Sequence, residues 1–177
     1  MDKFKNLIVL GPLIYAIHHL EEHTIFNFIE WKLQYFYHSA AALSTEAILA
    51  ILTCILVTFA LLHLVKNDRA SAHVILFMLF AIQVINAFYH IFFSFYFSDF
   101  SPGAITAALL YLPVNFLIAQ AAFREGYLKS YFEYGCIAFL GTTTFILFEI
   151  IGPLIIGLAI IFSLMYYFYF NKRLSNN

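Results

Sequence analysis

The chain has 177 residues, 63% of them hydrophobic and 20% aromatic against 11% charged, with a formal net charge of −1 and a mean hydropathy of +0.87. Soluble domains carry roughly 25% charged residues, so this composition excludes an ordinary soluble globule, and the lack of a basic excess argues for no nucleic-acid partner. The apolar runs are too long and alternate too little for barrel strands. What remains is an all-α, polytopic transmembrane helical bundle, a single integral membrane domain over residues 1–177.

The opening Met1-Asp2-Lys3-Phe4-Lys5 and the apolar run behind it imitate a signal peptide. No A-x-A cleavage site follows, so the segment reads as an uncleaved first span at about 7–26. Residues 27–38 mix Trp31, Tyr35 and Tyr37 with Glu30, Lys32 and His38, a composition suited to the membrane–water interface. The second span is expected at 40–65, ended by Lys66-Asn67-Asp68-Arg69. The third is expected at 73–97, followed by Asp99 and Ser101-Pro102-Gly103, and the fourth at 104–123, closed by Arg124-Glu125-Gly126. Residues 131–170 are almost continuously apolar and about twice as long as one span needs. Gly152-Pro153 is the natural hairpin point, which gives spans at 131–148 and 153–170. Six spans result; the alternative is five, with one long kinked segment at the end. Cys54 and Cys136 share no C-x-x-C spacing and read as buried small hydrophobes.

With six spans, Lys3, Lys5, Lys66, Arg69, Arg124, Lys129, Lys172 and Arg173 share one side and Lys32 stands alone on the other. By the positive-inside rule both termini are cytoplasmic, in the cell (cytoplasmic) membrane.

Against this apolar background His18-His19-Leu20-Glu21-Glu22-His23 stands out. On a helix His18 meets Glu21 and Glu22 at i+3 and i+4, and His19 meets Glu22 and His23 in the same way. Glu46, the pair Asn86 and His90, and Glu149 each fall at similar depth on the same, outer side. An ionisable group at mid-bilayer costs on the order of 2.5–3.5 kcal/mol on insertion scales. These groups are therefore expected to face inward and to pair, bind an ion or carry protons.

His18-x-x-Glu21-Glu22, in the first helix of a membrane protein this short, resembles the HXXEE family of small bacterial and archaeal membrane proteins, and Asn86-x-x-x-His90 and Pro102-Gly103 are similar to that family's later motifs. The resemblance is expected to cover nearly the whole chain. It implies a site at these residues and no established activity. His19-Leu20-Glu21-Glu22-His23 also satisfies the short H-x-x-E-H pattern of a zinc-peptidase class, a minor reading because no soluble catalytic domain surrounds it.

Neutral imidazoles with carboxylates are a ligand set for zinc or non-haem iron. The candidate metal ligands are His18, Glu22 and His90, with Glu46 a further one. The candidate catalytic residues are Glu21, as base or orienting partner, with Glu46 and Asn86. His19, His23 and Glu149 lie close enough to belong to the site or to the interface. His38 and His73 are expected to be solvated, His63 lies apart, and Tyr15, Tyr89, Tyr96 and Tyr111 read as packing residues.

Three functions fit. One is an intramembrane enzyme, with a divalent metal (zinc or iron) as cofactor, acting on a lipid or other apolar substrate. Another is a metal-free acid/base isomerase or cyclase of an isoprenoid-like lipid. The last is a cation or proton pathway, or an accessory membrane subunit. Convergence of the carboxylates and imidazole nitrogens on one point favours the metal.

Overall fold

The structure, a computed structural model, describes residues 3–36 and 43–174. All regular structure among them is helical. The first segment is α1 (Phe4–Leu7) and α2 (Leu10–Leu20), the latter running into a π-helical turn, Glu21–Ile25. Then come α3 (Phe28–Tyr35), α4 (Thr45–Lys66), and α5 (Arg69–Leu79), which passes through a second π-turn, Phe80–Val84, into α6 (Ile85–Tyr96). The short α7 (Ala104–Thr106) leads through a third, Ala107–Tyr111, into α8 (Leu112–Arg124), and α9 (Tyr131–Ile151) and α10 (Leu154–Leu174) complete the chain.

The polar turns in the sequence act as helix caps. Asn27 accepts from Glu30 N at 3.2 Å, Ser44 from Ala47 N at 3.2 Å, Asp68 from Ser71 N at 2.7 Å and Ser130 from Glu133 N at 3.2 Å. Each satisfies a backbone donor that a helix start leaves without a partner. The Asp68 cap starts the third span at Arg69, a turn before the expected position. Gly152, at φ +90°, ends α9 ahead of Pro153, so 131–170 forms two helices and the alternative of one kinked segment is corrected.

Five helices are long and apolar enough to cross a membrane: Thr45–Lys66, Arg69–Tyr96, Ala104–Arg124, Tyr131–Ile151 and Leu154–Lys172. The first segment is not among them, because it breaks at Ile8 and Val9 into shorter pieces. It still reaches both ends of the bundle. Phe4 N donates to Glu125 at 2.7 Å and its ring meets Tyr127 and His63 at the basic end. The residues that follow the segment meet the other end, where Trp31 and Tyr35 pack on Phe97. There Tyr35 donates to Asp99 at 2.9 Å, and this hydrogen bond pushes the phenol's pKa up.

Arg69–Tyr96 is the central helix, with far more of its residues buried than in Tyr131–Ile151. Its buried Gln83 donates to Gly11 O at 2.7 Å and accepts from Asn115 Nδ2 at 2.8 Å, tying the first segment to α8. Removing such a buried amide would strand its partners, at about 1–3 kcal/mol.

Two expectations fail. Cys54 and Cys136 are exposed, beside exposed apolar residues such as Val57 and Phe139: in a membrane protein an apolar residue need not be interior. His73 is half-buried rather than solvated. Its Nε2 donates to Tyr127 O at 2.8 Å, and its Nδ1 accepts from Tyr166 at 2.6 Å. His38 and Tyr37 lie outside the described residues.

Candidate functional site

The last turn of α2 and the π-turn after it carry the site. His18 and Glu22 stand four residues apart, and the central helix presents His90 opposite them. Glu22 Oε1 lies 2.9 Å from His90 Nε2 and 3.4 Å from His18 Nε2. All three residues are buried, His90 completely. One ligand atom from each lies within 4.8 Å of the others, so this group could hold a metal ion. A π-turn widens the helix by one residue, a distortion found often at functional sites. Here it changes the direction of the side chains from Glu21 onward.

The far nitrogen of each ring is held by a hydroxyl. Thr106 Oγ1 donates to Gly103 O at 3.3 Å, so it accepts from His18 Nδ1–H at 2.7 Å. In a neutral ring that leaves His18 Nε2 as a bare lone pair. His90 Nδ1 meets Ser101 Oγ at 3.0 Å. Ser101 is itself fixed, its backbone N donating to Ser94 Oγ at 3.0 Å while Ser94 donates to His90 O at 2.7 Å. Both Nε2 atoms are buried without a hydrogen bond. The short approach of Glu22 to His90 therefore lacks hydrogen-bond geometry. A buried polar atom without a partner is costly unless something else satisfies it.

Gly103 closes the floor. Its φ of +97° is left-handed, and a Cβ there would stand 2.8 Å from His18 Cε1, 3.0 Å from Glu22 Cγ and 3.1 Å from His90 Cε1. Three cluster residues thus pack on one missing side chain. Tyr111 covers His18, with ring centroids 4.4 Å apart.

The other sequence candidates separate. Glu21 is buried, but its carboxylate accepts from Gly103 N at 3.2 Å, Ile105 N at 3.1 Å and Thr106 N at 2.7 Å. It caps the helix that starts at Ala104, where free N–H groups favour a negative charge, and it holds Gly103 and Thr106 against His18. Glu46 is exposed in the first turn of α4 and is in neither ligand group, although it lies within electrostatic reach of His19 and His23. Asn86, one turn before His90, borders the adjoining cavity and has a buried Oδ1 without a partner. His19 and His23 border the same cavity, their ring centroids 4.3 Å apart. Glu149 is at its edge, in an ion pair with Lys32 at 2.7 Å.

That cavity has a volume of about 540 Å³. His18, His19, Glu22 and His23 form its polar end, and Ile48, Leu52, Ile82, Phe145, Phe148 and Ile156 are among its apolar walls.

A family described as "Protein of unknown function with HXXEE motif" matches residues 9–118, more than half of the chain. The chain belongs to the HXXEE family. No curated protein and no solved structure matches it. The family match stops short of the expected extent: α9 and α10 lie beyond residue 118, although both wall the cavity. In this HXXEE protein the letters of the motif divide their work, with His18 and Glu22 in the cluster and Glu21 clamping the loop behind it. Thr106 and Ser101 escaped sequence reasoning as site residues, and Gly103 entered it only through the family-like Pro102-Gly103 pair. Only the adjacent Pro102-Gly103 hinted at an unusual backbone there, and hydroxyls in an apolar chain carry no ligand signature of their own.

Proposed function

We propose that this HXXEE protein is an intramembrane enzyme that holds a divalent metal through His18, Glu22 and His90 and acts on a lipid or other apolar molecule bound in the adjoining cavity. The observation that carries the reading is the pair of buried imidazole nitrogens without hydrogen bonds, facing one carboxylate oxygen. Bonds of about 2.0–2.1 Å in a tetrahedral zinc site put ligand atoms roughly 3.4 Å apart. The 3.4 Å from His18 to Glu22 matches that edge and the 2.9 Å from His90 needs a small outward shift. The hydroxyls on both Nδ1 atoms supply the outer contacts that orient ligating histidines. Three protein ligands leave a position for water, which zinc or iron would acidify. Asn86 Oδ1 is placed to orient a donor on the substrate, and the apolar walls receive its body.

Six crossings with both termini on the cytoplasmic side of the cell membrane are part of the proposal. The first segment's contacts at both ends of the bundle support the sixth crossing, and the basic residues at the end that holds Phe4 support the orientation. A metal-free isomerase or cyclase is the second reading. It is favoured by the burial of the Glu22 carboxylate within 3.4 Å of two imidazoles, between which a proton could pass once a ring turns into hydrogen-bond geometry.

Elemental analysis of protein purified in mild detergent, without added metal or chelator, tests the first reading. Zinc or iron should co-purify at about one equivalent or more, and a His18→Ala/His90→Ala variant should lose it. Metal-free protein from repeated preparations that also takes up no added zinc, iron or cobalt would overturn it in favour of the acid/base reading.

A further inference from the structure

Glu22 has two carboxylate oxygens, and they face different histidines. Oε1 faces His18 and His90, while Oε2 lies 3.7 Å from His23 Nε2. His19, Glu22 and His23 form a second group whose ligand atoms lie within 4.8 Å of one another. We infer that Glu22 bridges two metal ions, the second held by His19 and His23 on the cavity side. The inference rests on the metal reading above and extends it from one ion to two.

The local chain geometry supports this. His19 and His23 are one turn apart, so both rings rise from the same face and stand 4.3 Å from each other. Side by side, two protonated rings would repel, whereas two neutral rings can direct lone pairs at a shared cation. The two groups also differ in access. His90 is completely buried and does not line the cavity, and His18, which does line it, is packed under Gly103 and Tyr111, whereas His23 is only half-buried and lines the cavity with His19. Paired metal ions about 3.5–4 Å apart recur where one substrate oxygen is held and another is attacked or released, a spacing that a shared carboxylate can span. The cavity-side ion would have the more open coordination and would meet the substrate first. The substrate class this implies is an apolar molecule with an oxygen donor at one end, a hydroxyl, carbonyl or phosphate.

The test is cobalt(II) uptake by chelator-stripped full-length protein in detergent, read as equivalents retained after desalting and as visible absorption. The wild type should retain about two equivalents, and His19→Ala/His23→Ala about one, with the cobalt spectrum of the enclosed site preserved. His19→Asn/His23→Asn, checked by circular dichroism and elution volume, stands in if the alanine variant fails to fold. One equivalent in the wild type, unchanged by either double substitution, would overturn the bridge and leave the single-metal reading intact. Two equivalents that survive loss of both histidines would overturn the assignment of the second site. No uptake by any form would remove both readings together.

Discussion

The bundle buries histidines at both ends, and the comparison shows what makes one end a candidate site. At the basic end, His63 is completely buried and its Nδ1 meets Ser71 Oγ at 3.0 Å. Ser71 donates to Asp68 O at 2.9 Å, so the serine accepts from the ring, as Thr106 does from His18. The outer contact is therefore the same at both ends. At both ends Nε2 is buried without a hydrogen bond, and the difference is in what surrounds it. Around His63 stand the rings of Phe4 and Tyr127, each with its centroid 4.9 Å away and nearly perpendicular. Around His18 stand Glu22, His90 and a polar cavity end. A hydroxyl on one ring nitrogen makes a well-oriented histidine; what the second nitrogen faces decides whether that histidine can bind an ion or merely pack.

The comparison predicts unequal responses to substitution. The largest effect is expected at the ligands. His90→Ala should weaken cobalt or zinc binding by more than about 100-fold, beyond the 10–100-fold typical of supporting contacts, whereas His63→Ala should lower the melting temperature and leave metal affinity unchanged. A competition titration with a chromogenic chelator reads the affinity. Equal losses of metal at the two ends would break the distinction.

Next is Gly103→Ala, which combines a left-handed backbone with a Cβ 2.8 Å from His18. Strain of this kind costs about 1–3 kcal/mol, and metal affinity should fall with stability. A melting shift without any change in affinity would show that the loop can yield without moving the rings. Thr106→Val and Ser71→Ala sharpen the contrast further. Thr106→Val should weaken metal binding about 10–100-fold. Ser71→Ala should cost about 1–3 kcal/mol of stability for the partners left unsatisfied, measured by thermal melting in detergent, and should not change metal uptake. Lys32→Ala is expected to have the smallest effect, at most about 1 kcal/mol for a partly exposed ion pair with Glu149.

Acid should separate the ends as well. Metal ligands must be deprotonated, so protons compete with the ion as the solution is acidified. Occupancy should be high near neutral pH and lost in acid, with circular dichroism retained as the metal leaves.

The later spans were legible because long apolar runs between polar turns suffice to define them. Polar segments supplied the caps at Asp68 and Ser130, whereas Ser44, which was expected inside the second span at 40–65, caps a helix that starts at Thr45. The first segment was not fully legible. Its apolar run continues through Ile8 and Val9, where the helix breaks one turn before Pro12, which has no N–H to give to Ile8 O, a local signal that hydropathy alone does not register. The cluster was legible in part. The four-residue spacing from His18 to Glu22 set those two on one face, and Asn86 and His90 were correctly brought to the same end. Glu21 and Glu22 are adjacent and chemically identical, and no spacing rule says which enters the cluster. Glu46 reached the neighbourhood of His19 and His23 but not the cluster, since a carboxylate near a helix start can remain exposed.

The sequence alone determined that this is an all-helical chain with apolar spans, one basic end, and the His18–His23 stretch with Asn86 and His90 at the other, because hydropathy and helical periodicity are local properties. Tertiary structure decided that Gly103 N, Ile105 N and Thr106 N claim Glu21, that Ser101 and Thr106 orient the two rings, and that Glu22 stands between two pairs of histidines. Those outcomes depend on contacts between residues distant in sequence, set by how the helices pack and by where the π-turn redirects the side chains.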